Sequence, residues 1–219
     1  MHVAIEEYDD SDHSRTAQLI ECYKDVFQDR PWNEWLKCCV CEKYWGTKDR
    51  EELVQLGFVH CEKPLVDFWT RTEVLGNIRR DLVQDSSCWL AVDQFKVIGF
   101  CWGYPMLADD LEKKLGLEFN PTENLSGQTI AYQNEVGVLL NYRNFKVAKR
   151  LVLKRLEDFL SRGLKYGVVR TRQFPEPSVT YTWYTEKLGY RVIARYPGND
   201  GRVVLGREFN EELRSSLSP

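Results

Sequence analysis

Arg143, Lys146 and Lys149 stand within Val138-Leu-Leu-Asn-Tyr-Arg143-Asn-Phe-Lys146-Val-Ala148-Lys149-Arg-Leu151. There a short apolar run passes through a polar, basic corner into an amphipathic pattern. Cations gathered at the start of a helix suit one ligand chemistry above others. The first amides of a helix lack intrahelical partners, and the helix dipole adds partial positive charge. A phosphate or pyrophosphate is therefore the natural occupant. Lys146, Arg150 and Lys154 also recur every four residues, which is equally the spacing of a solvated helix face.

A second constellation is built from sulfur. Trp35-Leu-Lys-Cys38-Cys-Val-Cys41-Glu-Lys-Tyr-Trp45-Gly46 carries Cys-x-x-Cys, and Phe58-Val-His60-Cys61 follows. The first pair has zinc-knuckle spacing, and a zinc ribbon would repeat it. Phe58 occupies the place of the second pair's first Cys. Cys38, Cys41 and Cys61 thus offer three thiolates, and the fourth ligand would be His60 or Cys39. Neighbouring residues seldom both reach one tetrahedral ion without strain. Either the segment holds zinc, or it keeps a ribbon's shape by aromatic packing with its thiols free. Trp32, Trp35, Trp45, Phe58, Phe68 and Trp69 predict a compact aromatic subdomain in both cases.

Bulk properties narrow the setting. A chain of 219 residues can build one full core plus an insertion, and 43% hydrophobic content with seven Trp marks a folded protein. The formal charge of -3 gives no general attraction to nucleic acid or anionic membrane. Across Arg30 to Arg71 the seven basic and seven acidic residues cancel, so a zinc-ribbon nucleic-acid binder is disfavoured. The longest apolar run, Val97 to Ala108, is interrupted by Gly99, Gly103 and Pro105 and falls short of a membrane span. The N-terminus lacks the form of a signal peptide, so the expectation is a soluble, cytoplasmic protein. A reducing compartment keeps the seven Cys as thiols, with Cys22, Cys88 and Cys101 buried and inert among apolar neighbours.

The elements that must position these residues follow from periodicity. His2 to Tyr8 predicts a strand and Ser14 to Phe27 an amphipathic helix. Residues 30 to 70 change texture, with four of the seven Trp and little helical period, and are expected to be an inserted module. Glu73 to Val83 returns to a helix. Cys88 to Val92 and Lys96 to Tyr104 form strands around the turn Asp93-Gln94-Phe95. A short helix at Asp109 to Leu115, a loop at Asn120 to Gly127 and a central strand at Gln128 to Leu140 come next. Asn144 is the expected N-cap of a helix that Gly163 ends. Tyr166 to Arg172 is a strand and Val179 to Lys187 a helix. A hairpin of Tyr190 to Tyr196 with Val203 to Phe209 turns through Pro197-Gly-Asn-Asp-Gly201.

Two motifs set this order in a family. Arg143-Asn-Phe-Lys146-Val-Ala148 resembles the coenzyme-A loop of the GNAT superfamily of N-acetyltransferases, Gln/Arg-x-x-Gly-x-Gly/Ala, with Lys146 where the first Gly is usual. Thr185-Glu-Lys-Leu-Gly189-Tyr190 resembles its closing motif, Tyr-x-Lys-Leu-Gly-Phe/Tyr. The resemblance covers residues 1–29 weakly and about 71–210 well. It implies an α/β GNAT fold: a mixed, mostly antiparallel sheet splayed at the coenzyme strand, flanked by helices. Residues 1–219 would then form a single domain with a ribbon-like subdomain inserted at 30–70.

The resemblance also implies an activity, acetyl transfer from acetyl-CoA to a primary amine. Gly137, Val138 and Leu140 would pair with the thioester arm through their backbones. The amides of Asn144, Phe145, Lys146, Val147, Ala148 and Lys149 would cradle the pyrophosphate, with Arg143 at the turn. An amine of pKa near 10.4 must lose a proton before attack, and Glu135 lies where the family often carries a general base. Its other reading is a surface Glu on an apolar strand. Relatives often protonate the departing thiolate with a Tyr four residues before the closing Gly. Thr185 stands there, with Tyr184 one residue earlier and facing another side of the helix; Tyr184 is the candidate left for the role, and the competing reading makes Tyr184 and Tyr181 packing residues. The rival function is a non-catalytic coenzyme-A-binding or protein-interaction module on the same scaffold. The insertion would serve as a cap over the acceptor site or as a partner surface.

Overall fold

The computed structural model describes residues 2–83, 85–174, 178–198, 201–210 and 213. The N-terminal part holds β1 (Val3–Glu7), α1 (His13–Phe27), β2 (Leu36–Lys37), β3 (Tyr44–Trp45), α2 (Arg50–Gln55), β4 (Val59–His60), β5 (Lys63–Pro64), β6 (Val66–Asp67) and α3 (Arg71–Asp81). Then come β7 (Ser87–Asp93), β8 (Lys96–Leu107), α4 (Ala108–Leu115), β9 (Thr129–Val138), α5 (Val147–Ser161) and β10 (Tyr166–Arg172). After these come α6 (Val179–Glu186), β11 (Arg191–Arg195) and β12 (Arg202–Glu208). Asn199 and Asp200, in the turn expected between the last two strands, lie outside the described residues.

Seven strands form a mixed sheet in the order β1-β7-β8-β9-β10-β12-β11. β1 runs antiparallel to β7, β9 parallel to β10, and β10 and β11 both antiparallel to β12. Two further small sheets, β3-β2-β6 and β4-β5, belong to residues 30–70. That segment therefore contains short strands and one helix, α2. Its strands span only two residues each, too short for alternation to show in the sequence.

The chain makes two compact units: residues 1–81, 88–101 and 136–152, and residues 82–87, 102–135 and 153–219. In the first, Asp12 caps α1 by accepting the Arg15 amide at 2.9 Å. The helix then buries Leu19, Ile20, Cys22, Tyr23, Val26 and Phe27 along one stripe. Val3, Ala91, Ile98, Val138, Val147 and Leu151 share a core cluster. Cys22, Cys88 and Cys101 are buried thiols as expected, and burial raises the Cys22 pKa further. In the second unit Tyr104, Leu111, Ile130, Tyr132, Val168 and Val204 form the core. Among the described residues no helix is long and apolar enough to cross a membrane.

Some boundaries differ from the sequence reading: α3 lies two residues earlier at both ends, β8 runs three residues further, to Leu107, and two differences fall at the basic corner. β9 stops at Val138, and Leu140–Tyr142 forms a 3-10 turn, because Leu139 and Leu140 carbonyls accept the Tyr142 and Arg143 amides at 2.9 and 3.2 Å. Leu140 is thus in a turn and exposed, rather than in the strand. α5 begins at Val147, so Asn144 is not its N-cap: residue 144 has φ +70 and belongs to the preceding turn. The other end agrees, with Gly163 at φ +77 and its amide on the Leu160 carbonyl.

Candidate functional site

The basic corner is built by the end of β9. Gly137 is required there, since a Cβ would lie 2.5 Å from Phe100 Cζ and 2.9 Å from Val26 Cγ1. The Leu139 amide donates to the Ile98 carbonyl at 3.0 Å, and Tyr142 Oη donates to Asp93 at 3.1 Å, so both ends of the 3-10 turn are anchored. Arg143 is half-buried and folds back, with Nε on the Val138 carbonyl at 3.2 Å and Nη1 on the Arg30 carbonyl at 2.9 Å. Arg150 likewise donates to the Val3 carbonyl at 2.9 Å. Both guanidinium groups therefore secure the corner itself. Lys146 and Lys149 are exposed, beside exposed Asn144, Phe145 and Ala148; Arg150 is exposed too, but its guanidinium is engaged on the Val3 carbonyl.

Lys146 has φ +60, a left-handed conformation that favours Gly. Its carbonyl accepts the Arg150 amide at 3.1 Å, the first bond of α5. The amides of Val147, Ala148 and Lys149 precede that bond and point out of the helix start. The Val147 side chain is buried in the core cluster, which fixes the helix in place, while Ala148 presents only a methyl group outward. An anion meeting this corner finds backbone donors, two flexible ammonium groups and little steric obstruction.

Earlier along β9, the ladder with β10 spans three pairs, Ala131 to Gln133 opposite Gly167 to Val169. β9 continues to Val138 and β10 to Arg172, so the ladder ends at Gln133 before either strand does. Glu135 is half-buried on the stretch of β9 beyond it, and its carbonyl accepts Arg155 Nη1 at 2.7 Å. Arg155, only 1% exposed, also donates to the Trp102 carbonyl at 2.7 Å, Gln133 Oε1 at 3.3 Å and Tyr184 Oη at 3.0 Å. Tyr184 in turn donates to Gln133 Oε1 at 2.8 Å, and Gln133 Nε2 donates to Tyr190 Oη at 2.6 Å. Burial raises the Tyr190 pKa, which keeps its phenol neutral. Tyr184 is buried within this network.

Sequence reasoning missed Arg155 and Gln133. The signal was present: Arg155 lies four residues from both Leu151 and Phe159, on the stripe that α5 buries. A cation at such a position needs several acceptors, and here strand carbonyls and a glutamine supply them.

The sulfur constellation converges. The ligating atoms of Cys38, Cys41, His60 and Cys61 all lie within 4.8 Å of one another, so the four could hold a metal ion. His60 Nδ1 is 3.5 Å from Cys41 Sγ and 3.2 Å from Cys61 Sγ. Cys39 is exposed and outside this set. The Cys38 thiol is held down at about 6 by the Cys41 amide, then by His60 and the Val40 amide. Cys61 is pushed up to about 11, chiefly by its hydrogen bond to the Cys41 sulfur. Trp45 meets His60 edge-on at 5.1 Å and Trp35 meets Phe58 at 6.2 Å, while Cys38, Trp45 and Leu53 are buried together. Trp32 and Trp69 turn instead to α1, packing on Phe27 at 4.9 Å and Tyr23 at 5.9 Å.

No protein-family model matches this sequence, and no curated protein matches it either. Solved structures do. A PaiA N-acetyltransferase from Thermoplasma acidophilum in complex with coenzyme A aligns over 95% of this chain and 100% of its own, at TM-score 0.56 and 14% identity. Aminoglycoside 6'-acetyltransferase type Ii aligns over 94% and 96%, at TM-score 0.55 and 16% identity. Arabidopsis thaliana NAA60 in complex with a bisubstrate analogue aligns over 95% and 99%, at TM-score 0.52 and 16% identity. At such identities the likeness concerns the backbone alone, and the backbone of this chain has the GNAT fold.

Proposed function

We propose that this chain is an acetyl-CoA-dependent N-acetyltransferase acting on a primary amine, organised as one domain over residues 1–219 with residues 30–70 inserted. The observation that carries the reading is the end of β9. Its ladder with β10 ends at Gln133, and the strand runs on to Val138 and through a left-handed turn to the amides of Val147, Ala148 and Lys149 at the start of α5. Acetyl-CoA supplies an activated thioester and a pyrophosphate handle. Gly137 and Val138 offer backbone groups along the thioester arm, and Leu140 begins the turn below it. Arg143, Asn144 and Phe145 shape the corner, and Lys146 and Lys149 add charge near the phosphates.

Glu135 takes the role of general base, removing the proton from the acceptor amine directly or through water. For Tyr184 the buried hydrogen bonds to Gln133 and Arg155 support a positioning role over protonation of the thiolate. Those bonds set where the stretch of β9 beyond Gln133 runs, through the Arg155 bond to the Glu135 carbonyl.

Titration calorimetry with acetyl-CoA, followed by a thiol-release assay across an amine panel, tests the proposal. Saturable binding with turnover of at least one amine is the expected result. Binding that leaves every amine intact favours a coenzyme-A-binding module on the same scaffold. No binding at millimolar coenzyme defeats both readings. Glu135→Gln should slow transfer by roughly 100-fold or more, most severely at low pH where the amine is most protonated, with coenzyme affinity unchanged.

A further inference from the structure

We propose that Cys38, Cys41, His60 and Cys61 form a structural zinc site that staples two hairpins of the insertion together. The four ligating atoms come from two tips. In the first, β2 and β3 pair at Lys37 and Tyr44, and the tip is closed by Cys38 N on the Lys43 carbonyl at 2.9 Å and Glu42 N on the Cys38 carbonyl at 3.0 Å. In the second, β4 and β5 pair at His60 and Lys63, with Cys61-Glu62 as a two-residue turn. Each tip carries Cys-Glu-Lys, and Glu42 and Glu62 both have φ +60.

That turn removes the objection raised by adjacent ligands. Cys61 and Glu62 both lie in the left-handed region, at φ +49 and +60, the signature of a type I′ turn. Such a turn usually takes Asn-Gly, and a Cys-Glu pair occupies it at a conformational cost. The chain reverses sharply enough for His60 to meet Cys61 through its nearer nitrogen, Nδ1, at 3.2 Å. The Val40 amide points at Cys38 Sγ at 3.4 Å, as knuckle amides do toward a metal-bound thiolate.

The ligand set selects the metal. Three thiolates and one imidazole suit a tetrahedral zinc ion, and four protein ligands leave no open position for catalysis. Its work is therefore to hold the hairpins. Phe58, standing where a second Cys-x-x-Cys would begin, packs on Trp35 instead, and His60 replaces the missing ligand two residues later.

Elemental analysis of the full chain purified without chelator should find roughly one zinc per molecule. Replacement by Co(II) should give the intense visible bands of a tetrahedral, thiolate-rich site. Cys39→Ser should keep metal content and spectrum, whereas Cys41→Ser and His60→Ala should lower metal affinity by at least 100-fold. Because a ligand variant can also misfold, wild-type protein stripped with chelator gives the second reading: proteolysis should open between residues 38 and 62, and zinc should close it. A chain with negligible zinc and no cobalt spectrum overturns the proposal. So does loss of metal in Cys39→Ser with retention in His60→Ala, or a native disulfide within the cluster. None of these readouts depends on acetyl transfer.

Discussion

The basic corner and the Cys/His hairpins solve a similar geometric problem with opposite parts of the chain. Both place ordinary residues in left-handed backbone, Asn144 and Lys146 in one, Glu42, Cys61 and Glu62 in the other. At the corner the groups proposed to meet the coenzyme are backbone amides, so on that proposal side chains vary at modest cost. In the hairpins the proposed ligands are side-chain atoms, so on that proposal the turn serves to aim Sγ and Nδ1. A backbone site tolerates substitution until bulk or charge blocks it. A side-chain site tolerates almost none.

The contrast breaks first at Cys38, which is both a buried residue and a proposed ligand. Cys38→Ala should destabilise the insertion by more than about 4 kcal/mol, the range in which loss of a metal site falls. Denaturant unfolding followed by Trp fluorescence would detect it, and a change within 1 kcal/mol would mean that no metal held by Cys38 stabilises the insertion. At the corner, Ala148→Asp should instead spare stability, since Ala148 is exposed, while setting a carboxylate beside the proposed phosphate seat. Acetyl-CoA affinity should fall roughly 100-fold, about 2.7 kcal/mol, with unfolding unchanged within about 0.5 kcal/mol. Undiminished affinity would move the coenzyme away from the start of α5.

The smallest effects sharpen the comparison. Lys146→Gly should stabilise the protein by about 1 kcal/mol, because Gly accepts positive φ without a Cβ clash. Coenzyme affinity should change by less than about threefold, as one exposed ammonium near phosphate is worth little. Glu62→Gly should give a similar gain of about 1 kcal/mol for the same reason, with metal content unaltered. Destabilisation in either variant, measured by thermal unfolding, would mean that its left-handed turn carries no strain to relieve.

Much of the architecture was legible in local pattern. α1, α4 and β10 fall within a residue or so of their expected spans, because caps, apolar stripes and strand runs are encoded by nearby residues. The start of α5 was read two residues early. Asn144 is a good N-cap residue by type, but the 3-10 turn pinned by Tyr142 and Asp93 delays the helix to Val147. The short strands of residues 30–70 escaped notice because their pairing partners, not their own periodicity, make them strands. Arg155 was hidden for another reason: nothing adjacent in sequence announces that the Trp102 and Glu135 carbonyls will meet it.

By itself the sequence determined composition and order: a basic turn ahead of an amphipathic helix, and three thiols with a histidine nearby. These depend on residue type and spacing, which short-range physics reads directly. Tertiary structure alone decided which groups remain available. It turned Arg143 and Arg150 onto backbone carbonyls and left Lys146 and Lys149 outward. It chose His60 over Cys39 because a left-handed pair at Cys61 and Glu62 brings two neighbours to one point. It buried Tyr184 among Gln133 and Arg155. Such choices rest on hydrogen bonds between residues far apart in the chain, and no local pattern carries their geometry.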